Sequence, residues 1–180
     1  TNGMCATSHP IAAKVAIDML ESGGNAVDAA VAGAILLGIC EPQMAGIGGD
    51  CFVLLSPPGV DRIIALNGSG RSPQGLSAAA MRAAGHQTVP LRGIEAVTIP
   101  GAVDAFCRLS ADWGRTSLSE TLAPAIRYAE QGIPVAPRVA FDWHEATDTL
   151  KGAARDTYLV GGAPLQEGQI FRAPGQTAVL

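Results

Sequence analysis

The chain has 180 residues, 48% of them hydrophobic and 16% charged, which is enough for one domain with a core and excludes a disordered or charged tail. Its net charge of −4, without a basic run or aromatics interleaved among the Lys and Arg, excludes nucleic acid as the expected partner. Aromatics make up only 4% while Ala and Gly abound, so the interior has to be filled by close approach of small residues.

In chain order, the first expected element is a helix over 10–21. Ser8 or His9 stands at its mouth, Pro10 suits the first helical position, and Ser22-Gly23-Gly24 stops it. Ile11, Val15, Ala16, Met19 and Leu20 form its apolar face. Asn25 caps a second helix, with Asp28 placed to complement its exposed amide ends. From Ala26 to Cys40 that helix is apolar all round and is expected to be buried on nearly every side. It comes closest to a membrane span, but Asp28, its alanines and its length below ~18 residues mark a buried helix instead.

After Glu41-Pro42 the chain turns through Gly46-Ile47-Gly48-Gly49. The order helix, loop, strand is wrong for a phosphate cradle, and no Lys-Ser or Lys-Thr follows, so a tight turn with close backbone packing is expected. Residues 52–56 and 62–67 read as a hairpin around Pro57-Pro58-Gly59. Residues 67–73 read as a loop, 77–84 as a short helix and 85–97 as largely irregular chain. Further helices are expected from Pro100-Gly101 towards Ser110, over 118–131 up to Gly132, and around 139–150. Residues 171–180 read as a turn into a helix cut after one turn, the pattern of a piece of something longer.

The chemistry-bearing residues are sparse. His9, His86 and His144 share no metal-ligand spacing, so no metal and no cofactor is expected. Cys5, Cys40, Cys51 and Cys107 lack CxxC or disulfide spacing, and their apolar neighbours read as buried thiols. No Ser-His-Asp arrangement or nucleophile elbow appears. Thr1 invites comparison with a terminal nucleophile whose own amine is the base, but it opens a short turn-rich segment instead of a strand. Neither Thr1 nor Cys5 is assigned a catalytic role, and the compartment is left open.

Several blocks in order resemble the γ-glutamyltransferase family of N-terminal-nucleophile amidohydrolases. They are Gly3-Met4, Ala6-Thr7-Ser8-His9-Pro10, Gly23 to Ala30, Glu41 to Phe52, Ile99-Pro100-Gly101-Ala102-Val103, Leu122 to Ile126, Gly132 to Val135, Tyr158-Leu159 and Gly168 to Phe171. The resemblance covers essentially the whole chain. It implies an α+β fold that is part of a four-layer αββα sandwich, with residues 1–180 as the N-terminal portion of a large subunit. The partners implied are a small-molecule amide and the downstream small subunit of the same precursor. The nucleophilic Thr would open that small subunit, so no catalytic residue is expected here.

The resemblance makes 67–71 a substrate-binding loop formed by Asn67, Ser69, Gly70 and Arg71. The transferase branch carries Asp-x-Arg-Glu there, its Arg gripping a substrate carboxylate bidentately. This chain reads Asn67-Gly68-Ser69-Gly70, and Ser cannot replace a desolvated guanidinium. That departure fits the transferase-like amidohydrolases better. Two alternatives stay open: a γ-glutamyl transferase or glutathione hydrolase in which Arg71 takes over the carboxylate, and a non-catalytic homologue acting as a binding or scaffold protein. Arg71 is equally readable as an exposed loop arginine.

Overall fold

The computed structural model describes residues 3–180; the Thr1 reading lies outside them. In chain order the elements are α1 (Pro10–Glu21), α2 (Ala26–Cys40), β1 (Cys51–Leu55), β2 (Ile64–Gly68), α3 (Ala78–Ala83), α4 (Ala102–Trp113) and α5 (Leu118–Gln131). There follow β3 (Ile133–Pro134), α6 (Pro137–Ala146), α7 (Ala153–Tyr158), β4 (Leu159–Val160), β5 (Ala163–Pro164), β6 (Ile170–Phe171) and α8 (Pro174–Val179). Three two-stranded antiparallel pairs, β1–β2, β3–β6 and β4–β5, accompany the helices, so the class is α+β as expected. The chain forms two compact units, residues 1–46 with 109–180, and residues 47–108.

The first unit is built on α2, which packs against α1 and α5. Val31, Ile35, Leu36 and Ile39 are almost wholly buried, each stabilising the fold by about 1.5–3 kcal/mol relative to exposure. Ala12, Val15, Ala16 and Met19 form the buried stripe of α1, so the expected face is the buried one but narrower, with Ile11 and Leu20 at its flanks only half-buried. His9, not Ser8, caps α1: its Nδ1 accepts from Ile11 N at 3.3 Å, while Ser8 Oγ donates to Glu41 Oε2 at 2.7 Å.

The α2 start is doubly held. Asn25 Oδ1 accepts from Val27 N (2.8 Å) and Asp28 N (3.1 Å), and Asp28 Oδ2 accepts from Asn25 N (2.7 Å). This is a capping box with Asp in place of the usual Glu. Asp28 is 1% exposed, and its carboxylate also accepts from Arg115 N at 3.1 Å and Thr116 N at 3.4 Å. Asn25 Nδ2 donates to Trp113 O at 2.7 Å. One Asn-x-x-Asp pair thereby ties the α1–α2 corner to the segment between α4 and α5.

Beyond α5, Gly132 takes a φ of 93°, and a Cβ there would run into Ile170 Cγ2 and lie 3.0 Å from Phe171 O. Only glycine lets β3 approach β6 so closely. Trp143 and Phe171 then meet edge to face at 5.1 Å, with Tyr158 5.9 Å from both, closing the unit's second apolar cluster.

The second unit holds the β1–β2 hairpin, paired from Cys51↔Gly68 to Leu55↔Ile64. Strand β1 begins one residue earlier than expected, and β2 is displaced to Ile64–Gly68. The turn is Pro57-Pro58-Gly59-Val60, closed by Val60 N donating to Pro57 O at 3.3 Å, with φ 77° at Gly59. Pro followed by a left-handed Gly is the type II arrangement. Ser77 caps α3 through Ala80 N, but no α3 residue is buried. The cysteine reading needs correction: Cys40 is buried, Cys5 and Cys51 are half-buried, and Cys107 is exposed. Ala102, Ala105 and Leu109 form the buried stripe of α4, and Cys107 lies two residues from Ala105, on the other side of the helix.

Candidate functional site

The loop following β2 is shaped by backbone contacts. Asn67 and Gly68 belong to β2, opposite Phe52 and Cys51, so the loop begins at Ser69 and not at Asn67 as the turn-rich composition suggested. Gly68 is packed hard: a Cβ there would sit 2.6 Å from Ala105 Cβ and 2.7 Å from Cys51 O. Asn67 Oδ1 then accepts from Ser69 N at 2.9 Å, an Asx turn that leads the chain out of the strand.

Gly70 N donates to Asp50 Oδ1 at 3.2 Å, and Arg71 O accepts from Ile99 N at 2.9 Å. A Cβ at Gly70 would collide with Ile99 O, and one at Gly101 with Gly68 O, so two glycine backbones are laid against one another. Gly101 N and Ala102 N both donate to Gly49 O, at 3.1 and 3.0 Å. The close packing expected of the glycine turn is therefore found at Gly49. A Cβ at Gly46 or Gly48 would meet open space, so those two are not required by packing.

The structure thus assembles Gly49-Asp50, Asn67 to Arg71 and Thr98 to Ala102 into one clasp. Ser69 and Arg71 are exposed, and Asn67 spends its carbonyl on the turn. Among the described residues the ion pairs are Lys14–Asp18, Asp104–Arg108 and Arg138–Asp142, so the Arg71 guanidinium is not committed to a carboxylate. It can pair with a ligand's carboxylate, which its planar fork suits. Ser69 offers one hydroxyl. Gly70 offers no side chain, and its environment would not admit the acid of the transferase motif. Sequence reasoning missed Asp50 and Ile99-Pro100-Gly101 as parts of this site. The signal lay in the pairing of a Gly-rich turn with a Pro-Gly helix start, which only contact across the fold connects.

Among the described residues, no group of three or more His, Cys, Asp and Glu is placed to hold a metal ion, and no helix is long and apolar enough to cross a membrane.

Comparison with known proteins places this architecture. The Gamma-glutamyltranspeptidase family profile matches residues 12–180. The chain is 32% identical over 173 residues to the glutathione hydrolase proenzyme of Bacillus subtilis, covering 93% of this chain and 29% of that protein. It is 35% identical over 189 residues to the oxamate amidohydrolase proenzyme of Klebsiella pneumoniae, covering 100% of this chain and 35% of the relative. Among solved structures, the cephalosporin acylase from Bacillus halodurans superposes with a TM-score of 0.90 at 40% identity, covering 97% of this chain and 34% of the acylase. The chain spans about a third of the length of these curated relatives. With a profile match over nearly all residues and relatives above 30% identity, the chain belongs to the gamma-glutamyltranspeptidase family.

Proposed function

We propose that residues 1–180 form the N-terminal portion of the large subunit of a γ-glutamyltransferase-like amidohydrolase. The rest of the precursor supplies the small subunit and its nucleophilic Thr. The Thr hydroxyl attacks the amide carbonyl while its α-amine takes the proton. The C–N bond breaks, the amine leaves with a proton, and water or a second amine releases the acyl group from the Thr ester. In this reading Asn67, Ser69, Gly70 and Arg71 line the acyl side of the pocket.

The carrying observation is the clasp itself: a loop with a fixed backbone presents Ser69 and Gly70 where the transferase motif would present Arg and Glu, with an uncommitted Arg71 directly after them. A short acyl group with a polar terminus fits that loop, in keeping with relatives named as an oxamate amidohydrolase and a cephalosporin acylase. The hairpin supports a further subunit as partner. Phe52 (68% exposed) and Leu54 (78%) form an apolar surface on a two-stranded sheet, with exposed Ile63 (67%) just before β2, and such a sheet is marginal without cover.

Intact mass and N-terminal sequencing of the protein expressed from its full gene test the proposal. A second chain opening with Thr is expected. A single uncut chain would overturn it and favour the non-catalytic homologue. The free guanidinium keeps the transferase alternative specific. If Arg71→Ala lowers kcat/KM for a γ-glutamyl anilide by about tenfold or more, as loss of a charge-assisted pair requires, Arg71 holds the carboxylate. An unchanged value removes that role.

A further inference from the structure

We infer that Asp50 is a positioning residue that sets the specificity of the Ser69–Arg71 loop, an inference resting on the functional reading above. Asp50 is exposed, stands immediately before β1, and reaches across twenty residues of sequence to accept from Gly70 N at 3.2 Å. The loop is held at two other points, Ser69 N donating to Asn67 Oδ1 and Ile99 N donating to Arg71 O, while the Gly101 and Ala102 amides on Gly49 O tie the flanking segments to each other.

Among the described residues, Asp50 is therefore the one side chain from outside the loop that is hydrogen-bonded to its central residue. Gly70 needs such a pin. It has no side chain to anchor it, and the Ile99 carbonyl and Thr98 Oγ1 that block a Cβ on one side restrain movement in that direction only. Without Asp50 the Gly70 amide loses its acceptor, and the peptide planes on either side, which carry Ser69 and Arg71, are free to turn away from it. A positioned group displaced by about 1 Å loses much of its effect on reactivity and binding.

Two substitutions separate this role from its rivals. Asp50→Asn keeps a carbonyl-type acceptor for Gly70 N but removes the charge, whereas Asp50→Ala removes both. In the purified, processed protein, Asp50→Ala should raise amide exchange in the 69–71 segment about tenfold, leave the β1–β2 pairs unchanged, and leave Asp50→Asn within about twofold of wild type. In steady-state kinetics, Asp50→Ala should raise KM for a γ-glutamyl anilide about fivefold relative to a butyryl anilide, with kcat retained and Asn rescuing the loss.

Unchanged exchange in Asp50→Ala would overturn the inference. So would an Asn variant as impaired as Ala, because that outcome means the charge acts on the ligand itself. If exchange responds as expected but Ser69→Ala, Arg71→Ala and Asp50→Ala all leave discrimination between the two anilides untouched, the loop is pinned by Asp50 but does not line the acyl pocket. In that case the functional reading falls, and with it the specificity role.

Discussion

Replacing Asp28 by Ala tests the account of what holds the first unit together. The side chain is 1% exposed and serves three backbone donors, Asn25 N, Arg115 N and Thr116 N, from two parts of the chain far apart in sequence. Removing the capping-box half costs about 1 kcal/mol. Leaving the Arg115 and Thr116 amides without their charged acceptor adds about 1–3 kcal/mol for each group that stays buried and unpaired. The sum is about 3–7 kcal/mol, a large share of the 5–15 kcal/mol that typically separates folded from unfolded domains.

With a slope of about 2 kcal/mol per molar, a loss of 4 kcal/mol moves the urea midpoint down by roughly 2 M. Hydrogen exchange should localise the damage to the start of α2 and to 114–117. Asp28→Asn should cost less, because one oxygen remains for Asn25 N or Arg115 N while its amide faces the other donor. An Asp28→Ala variant within about 1 kcal/mol of wild type, well under the cap and amide losses together, would refute the reasoning.

Burial holds the His9 pKa below its ordinary 6.5, against the smaller upward pull of Glu41. Below pH 6.5 the unfolded chain binds a proton that the folded His9 resists, so stability should fall as pH drops from that value towards the folded pKa. A His9→Asn variant, which keeps a capping acceptor, should flatten that slope in denaturation midpoints measured from pH 8 to pH 5. Burial, helped by Glu41, pushes the Cys40 thiol up to about 12, so iodoacetamide at pH 8 should modify exposed Cys107 and spare Cys40, as peptide mass mapping can show. Leu36→Ala empties a fully buried site and should cost about 2–5 kcal/mol in urea titration. Gly70→Ala puts a Cβ on the Ile99 carbonyl, so it should disrupt the clasp and raise exchange at Ile99 N even though Ala is otherwise an ordinary loop residue.

Helix starts and stops were legible because they are local. Pro10 with Ser22-Gly23, Asn25 with Asp28, and Gly132 after the 118–131 pattern set ends of α1, α2 and α5 where the sequence signals put them, while the Ser117 capping box at the start of α5 was shown by the structure. The α5 pattern even outweighs Pro124 inside the helix, since Thr121, Ala125 and Ala129 are all buried along one side. The two-residue strands and α7 were not legible. A pair as short as Ile133-Pro134 with Ile170-Phe171 carries no period of its own and exists because Gly132 admits the partner strand. The candidate site shows the same division. Its four proposed residues are adjacent in sequence, so a motif comparison finds them. Asp50 and Ile99 join them by hydrogen bonds to Gly70 and Arg71 that cross from distant parts of the chain, which no local pattern encodes.

By itself the sequence determined which segments are helical and which helix is buried. Those properties follow from side-chain chemistry and near-neighbour periodicity. Tertiary structure alone decided that Asp28 caps one helix while binding the entrance to another. It also decided that Cys107 faces outward and that Gly70 is pinned between Asp50 and Ile99. Each depends on which backbone amides and carbonyls meet across the fold, and a residue's type does not specify its distant neighbour.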